Sequence, residues 1–257
     1  MPEGDTVFRT ARRLHAALAG HDVVRFDIRV PGSATADLTA QKVHAAVSRG
    51  KHLLIRIGDH TLHSHLKMEG EWHLYRPGER WRKPGHTARA IVGVRSAEAV
   101  GFDLAMVEVL PTRDEHRVVG HLGPDLLGPD WNAGEAARRL AADDRGIHVA
   151  VQDQRNIAGL GNEYANELLF VRGVLPTTPA NLVDPVALID TASRMIRANR
   201  DRPRRTFTGD TRRGHQRWVY RRAGKPCLRC GTLIETTQLG ADPTAERIVF
   251  WCPNCQR

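Results

Sequence analysis

The chain has few cysteines, few lysines and no long apolar run. Eighteen consecutive apolar residues occur nowhere in its 257, which excludes a membrane-spanning helix. The N-terminus opens on Glu3 and Asp5 where a secretory leader would be basic and then apolar. The expectation is a soluble chain of the cytoplasm or nucleoid, not secreted and with no membrane partner. Only Lys42, Lys51, Lys67, Lys83 and Lys225 are lysines among 38 basic residues, so the excess charge is carried by arginine. The four cysteines all fall in the last thirty-one residues, which leaves the rest of the chain without any possible disulfide.

What is present points to nucleic acid. Formal charge is +9 with a pI near 10.0, and guanidinium groups match phosphate bidentately. The arginines cluster: residues 194–222 hold eleven of them against two acidic residues, Asp201 and Asp210. The cysteines form Cys227-x-x-Cys230 and Cys252-x-x-Cys255, separated by twenty-one residues. Two such pairs around a hairpin-length segment supply four thiolates for one tetrahedral, structural zinc. Two disulfides are the rival pairing, but the segment gives no other sign of a secreted scaffold.

The hydrophobic pattern changes along the chain. Val7, Ala11, Leu14 and Leu18 recur at helical spacing within 3–19, and Gly20 is a stop. From Val23 to about Leu110 short alternating runs are punctuated by Gly, Pro and Asp: 24–30, 52–57, 60–65, 71–75, 88–94 and 105–110. They predict an antiparallel sandwich or barrel. Residues 122–130 are turn-rich and read as a linker. Helical patterns follow at 133–142, 163–170 and 184–199. The fold class expected is α+β: a helix plus β-domain over 1–120, a linker over 121–130, a helical domain over 131–222 and a zinc ribbon over 223–257.

Several residues carry possible chemistry. Removal of Met1 ahead of a small residue would leave Pro2 with a free secondary amine, able to form a cationic imine while anchored by its ring. Its α-amino pKa of ~8 leaves a usable neutral fraction at pH 7. Glu3, one peptide bond away, is placed to move protons. Lys51 follows a glycine turn at the mouth of an apolar strand, suited to a phosphate or a proton transfer, although a solvated edge lysine looks the same. Residues 156–170 are a glycine-rich turn feeding a helix, with Asn162 expected as its cap. His63 and His65 alternate on a strand and face one way, with no third metal ligand evident. Met68 lies at a strand turn where an apolar side chain can be exposed. Glu163 and Glu167, four apart on one helix face, read as structural ion-pairing groups.

Taken in order, Pro2-Glu3-Gly4, Arg49-Gly50-Lys51, Gly159-Leu-Gly-Asn162-Glu-Tyr164, Tyr220 through Cys227, and Arg247 through Gln256 resemble the formamidopyrimidine-DNA glycosylase and endonuclease VIII family of base-excision repair enzymes. The resemblance implies an N-terminal helix with a β-sandwich, a helix–two-turn–helix domain and a C-terminal zinc finger. It also implies a bifunctional glycosylase and AP lyase, acting as a monomer on damaged DNA and abasic sites. Pro2 would attack C1′, Glu3 would be the acid/base, Lys51 would hold the lesion phosphate and donate a proton in β-elimination, and Arg247 would serve δ-elimination. Asn162 would hold the same backbone, Met68 would wedge into the gap left by a flipped nucleotide beside Lys67, and His121 would make an interdomain DNA contact. The Pro-Glu-Gly opening, and the lack of an arginine in a later wedge loop at Val100–Ala105, lean toward endonuclease VIII and oxidised pyrimidines.

The chain departs from the family pattern in two places: Asp5-Thr6 replaces a Pro-Glu pair, and the ribbon is longer between its cysteine pairs, around Leu239–Ala245. A non-catalytic binder of damaged or single-stranded DNA, and a zinc-ribbon RNA-binding or ribosome-associated protein, are the competing classes. The intact Pro2, Glu3 and Lys51 favour the enzyme over both.

Overall fold

The computed structural model describes residues 2–257. Met1, whose removal the Pro2 chemistry requires, lies outside the described residues. The chain divides into two compact units, Met1–His121 and Leu122–Arg257, each described by itself.

In the first unit, helix α1 (Gly4–Leu18) starts after Glu3 in extended conformation and stops before Gly20, where φ is 83°. Val7, Ala11, Leu14 and Leu18 are all buried, so the helical stripe is the face that packs on the sheets. Strands β1 (Val23–Ile28), β2 (Val43–Arg49), β3 (His52–Ile57), β4 (His60–His65), β5 (Glu71–Tyr75), β6 (Ala88–Val94), β7 (Glu98–Phe102) and β8 (Met106–Pro111) form two antiparallel four-stranded sheets. Their orders are β1-β6-β7-β5 and β2-β3-β4-β8. Leu53, Ile55, Ile57 and Leu62 from one sheet share a core with Val92, Ala99 and Trp72 from the other and with the α1 stripe. This is the expected sandwich.

Two of its strands went unread in the sequence. The β2 strand has exposed His44 and three small residues, so its alternation is blurred. The β7 strand is buried at every position, and two-sided burial erases the period of two. Gly101 belongs in it for a packing reason: a Cβ there would meet Leu104 Cδ1 at 2.4 Å and the Trp72 ring at 3.0 Å. Val100–Ala105 is therefore not simply a loop. Phe102 is fully buried at the end of β7, and only Asp103 onward turns away.

The second unit opens with the residues read as a linker, but Leu122–Leu126 are buried. Gly123 N donates to the Gln154 carbonyl, Leu126 N to that of Ala158, and Ala158 N to that of Pro124. The stretch is part of this unit's packing because its own leucines and backbone groups find partners there. After a short helix in the first unit, α2 (His116–Val119), the helices here are α3 (Ala133–Ala141), α4 (Ile147–Ala150), α5 (Asn162–Arg172) and α6 (Pro185–Asn199). Asn132 caps α3 through Glu135 N, and Asp184 caps α6 through Val186 N and Ala187 N, with Pro185 in the first turn. Every residue from Asn162 to Phe170 is buried, which makes α5 the central helix of the unit. Strands β9 (Glu235–Leu239) and β10 (Arg247–Trp251) pair as a hairpin in register Arg247↔Leu239 to Trp251↔Glu235. Phe250, Ile234, Val219 and Tyr220 pack with Phe170 of α5, so the hairpin is docked on that helix. Among the described residues no helix is long and apolar enough to cross a membrane.

Candidate functional site

Pro2 is half-buried and Glu3 is 1% exposed, immediately ahead of α1, with the Glu3 carbonyl accepting from Thr6 N and Val7 N. Asp5 is fully buried in the first helical turn. It accepts from Thr6 N at 2.7 Å and pairs with Arg9 at 3.5 Å. A second carboxylate thus survives beside Glu3 although position 6 is threonine, and the positive end of the helix dipole favours both.

Lys51 stands in a two-residue turn. The pairing Arg49↔His52 leaves Gly50 and Lys51 to connect β2 to β3, and Gly50 takes φ 57°, a conformation that glycine enters without penalty. Next to it lies a group of imidazoles. His52 Nδ1 is 2.8 Å from His63 Nε2, and His63 Nδ1 is 2.8 Å from a Glu108 oxygen. The His52 ring stacks on His63, with His65 and His121 edge-on at 5.0 and 6.2 Å. Burial, then the neighbouring imidazoles and Lys67, push His52 down to about 3. Burial, then Lys67, Lys51 and His63, push His65 down to about 4. Both rings are neutral at pH 7 and add no positive charge beside Lys51 and Lys67. His63 and His65 do face one way, and what the sequence reading missed is His52. Its signal was the hairpin itself, since His52 pairs directly with His65 across β3 and β4.

Lys67 and Met68 follow in the turn after β4. Lys67 has φ 52° and donates its N–H to His65 Nδ1 at 2.9 Å; Met68 is 61% exposed. An apolar side chain held that far into solvent contributes nothing to this unit's core. His121 is exposed at the end of the unit.

In the second unit Asn162 is not the cap of α5. Gly161 takes that position, and Asn162, only 6% exposed, is the first helical residue. Its Oδ1 lies 3.0 Å from His148 Nε2 and accepts from Asn166 Nδ2 at 3.0 Å, while its Nδ2 donates to the Ile248 carbonyl at 3.0 Å. Arg247, one residue earlier on β10, is exposed, and its Nη1 donates to the Glu246 carbonyl. Glu163 makes the expected ion pairs, with Arg205 at 2.7 Å and Arg217 at 2.6 Å. Glu167 does something else. Its carboxylate accepts three backbone N–H groups, from Trp218, Val219 and Tyr220, and so ties the lead-in of the hairpin to α5. Burial raises it to about 7 against those three donors.

The four cysteine sulfurs lie within 4.8 Å of one another. The separations Cys230–Cys252 and Cys230–Cys255 are 3.4 Å, and Cys227–Cys255 is 4.0 Å. A disulfide needs about 2 Å, whereas four sulfurs at about 2.3 Å from one tetrahedral zinc stand near 3.8 Å apart. The donor set fits a single metal ion, and none of the four cysteines is in a disulfide.

Comparison with known proteins agrees with this geometry. Residues 1–106 match the formamidopyrimidine-DNA glycosylase N-terminal domain, and residues 122–197 match the H2TH domain of the same enzymes. The DNA-(apurinic or apyrimidinic site) lyase Nei2 of Mycolicibacterium smegmatis is 51% identical over 258 residues, spanning 100% of this chain and 99% of that protein. The probable endonuclease 8 2 of Streptomyces coelicolor is 50% identical, spanning 100% and 94%. The fold matches that of Lactococcus lactis Fpg, solved with DNA containing an abasic site. That match has a TM-score of 0.81 at 22% identity and covers 100% of both chains.

Proposed function

Given that the chain belongs to the formamidopyrimidine-DNA glycosylase and endonuclease VIII family, on the endonuclease VIII side, we propose that it excises oxidised bases from DNA and cuts the strand at the resulting abasic site. The relatives at 50–51% identity carry endonuclease 8 or AP lyase names, and the Pro-Glu-Gly opening adds oxidised pyrimidines as the preferred substrate. The observation that carries the reading is a carboxylate, Glu3, buried to 1% directly behind Pro2 at the start of α1. Burying such a group is costly, and a proton-transfer role beside an amine is a reason to keep it.

In the proposed reaction the Pro2 nitrogen bonds to C1′ as the C1′–base bond breaks, and the base leaves with a proton. Glu3 moves the proton that opens the sugar ring, giving an iminium between Pro2 and C1′. That cation acidifies the C2′ proton. Its loss breaks the C3′–O bond in β-elimination, with Lys51 holding the lesion phosphate and supplying a proton to the leaving side. A second elimination, assisted by Arg247, breaks the C5′–O bond, and water hydrolyses the imine to release Pro2. Neutral His52 and His65 beside Lys51 keep its ammonium from competing with further cations. Lys67 contacts phosphate or the opposite strand, Met68 fills the space of the flipped nucleotide, and Asn162 and His121 contact the backbone.

Cys227, Cys230, Cys252 and Cys255 would hold one zinc ion, which supplies no step of the reaction and cross-links the two knuckles that carry β10. Organisation into a catalytic domain, linker, helical domain and finger, action as a monomer, and residence in the cytoplasm or nucleoid complete the proposal. The test is a panel of duplex oligonucleotides, each with one oxidised base. Excision and nicking at oxidised pyrimidines ahead of 8-oxoguanine support it; no excision from any substrate, with no cleavage of abasic DNA, overturns it.

A further inference from the structure

His148 is the least exposed imidazole outside the cluster around His52, at 0%, and no step above uses it. Its surroundings fix its state. Burial lowers it to about 4, against a hydrogen bond to the Asn162 side chain that works the other way, so at neutral pH it carries one proton. Asn166 Nδ2 donates to both the Asn162 carbonyl and Asn162 Oδ1, so the Asn162 atom facing His148 is an oxygen. His148 Nε2 therefore bears the proton and donates to it at 3.0 Å. Nδ1 is left as an acceptor, with Gln152 Nε2 at 3.2 Å; Gln152 Nε2 and Asn166 Nδ2 also lie 3.3 Å from Nε2, but as amide nitrogens neither accepts its proton, and Asn162 Oδ1 is the acceptor in reach. Two donors on Oδ1 leave the Asn162 amide one orientation, with Nδ2 pointing away toward β10.

Among the described residues the hairpin has two strands, so β10 has an open edge. Two side-chain amides of α5 fill it. Asn162 Nδ2 donates to the Ile248 carbonyl, and Asn166 Oδ1 accepts from Phe250 N at 2.6 Å. The Ile248 peptide is continuous with Arg247, whose side chain is exposed. A pair of asparagines thus substitutes for a third strand, and its orientation is set from behind by a fully buried histidine.

We propose that His148 is a positioning residue for the second elimination: by donating to Asn162 Oδ1 it fixes the amide on the open edge of β10 and so fixes Arg247 against the DNA backbone. The inference rests on the assignment of Asn162 and Arg247 to the DNA backbone made above. Its chemistry is that of an outer layer of support, in which one buried donor removes the alternative orientation of a contacting group.

The experiment uses the full, metal-loaded chain in single turnover on abasic-site duplex, with β- and δ-elimination ends resolved on a gel. Loss of one buried hydrogen bond predicts that His148→Phe lowers the δ-to-β product ratio roughly five- to tenfold. His148→Gln, which returns an N–H donor near the place of Nε2, restores the ratio. In an Asn162→Ala background His148→Phe has no further effect on the ratio, although its effect on melting temperature persists. If His148→Phe does not fold, Gln152→Leu takes its place, since it frees Nδ1 and lets the tautomer change; a fall in the ratio is again expected. A ratio lowered by Asn162→Ala but not by either of the other two overturns the inference and leaves the proposed function standing. A ratio lowered by none of the three overturns the inference and the role of Asn162 together. An additive effect in the double variant also overturns it.

Discussion

Replacing Glu167 by glutamine tests how the hairpin is held to the helical unit. The carboxylate takes Val219 N at 3.0 Å and Tyr220 N at 2.8 Å on one oxygen, and Trp218 N at 2.8 Å on the other. Glutamine keeps one acceptor oxygen and turns an NH2 toward the remaining N–H, so a buried donor faces a donor. A charge-assisted bond is lost and an amide is stranded, which together cost about 2–4 kcal/mol. At about 2–4 °C per kcal/mol for a chain of this size, melting falls on the order of 10 °C. The pH dependence has a definite sign. Burial lifts the folded carboxyl to about 7, above its ordinary value of 4.5, so the folded state binds this proton more tightly than the unfolded one. Stability from the group is complete below pH 4.5 and is lost as pH rises through 7. At pH 8 Glu167 is ionised in both states and that pH-linked stability is gone, so the variant shows its smallest deficit. At pH 6 the folded carboxyl holds a proton that the unfolded chain does not, which stabilises the wild type and leaves the glutamine variant unchanged, so the deficit widens. Thermal melts at both pH values, with exchange of the amides at 218–220, give the answer. Equal melting of the two proteins at pH 6, or a deficit that shrinks on acidification, refutes the reasoning.

Cys252→Ser removes one of four sulfur donors, so bound metal falls below one equivalent by atomic absorption and affinity for abasic duplex drops at least about tenfold as the hairpin loosens; unchanged affinity with the metal gone contradicts the role given to the finger. Met68→Ala removes a side chain that is 61% exposed, so melting changes by less than about 0.5 kcal/mol. Excision of a paired lesion slows while nicking of a preformed abasic site does not; equal slowing of both contradicts a wedge role.

The parts of the molecule with one dry face were legible in the sequence. The α1 stripe, six of the eight sandwich strands and helices α3 and α6 of the second unit followed from period alone. Elements buried on both sides were not: β7 and α5 have no wet face, so their periodicity carries no signal, and α5 was found from its glycine-rich entry. The β2 strand was missed for the opposite reason, since small and polar residues leave it little contrast. Side chains whose roles depend on distant partners were also out of reach. Glu167 looks like an ion-pairing residue until the backbone of 218–220 is placed over it, and Asn162 looks like a cap until Gly161 takes that position. His148 sits in a stretch with no motif, and only the fold brings it to Asn162. The cysteines were legible because metal spacing is local in sequence.

The central claim is that the Pro2 nitrogen becomes bonded to the sugar. Borohydride reduction during reaction with abasic-site DNA, followed by digestion and mass spectrometry, locates the bond. The account predicts one adduct, on the N-terminal peptide beginning at Pro2, absent in Pro2→Gly or when the terminus is blocked. Strand cleavage by protein that retains Met1, or an adduct on Lys51 instead, contradicts it.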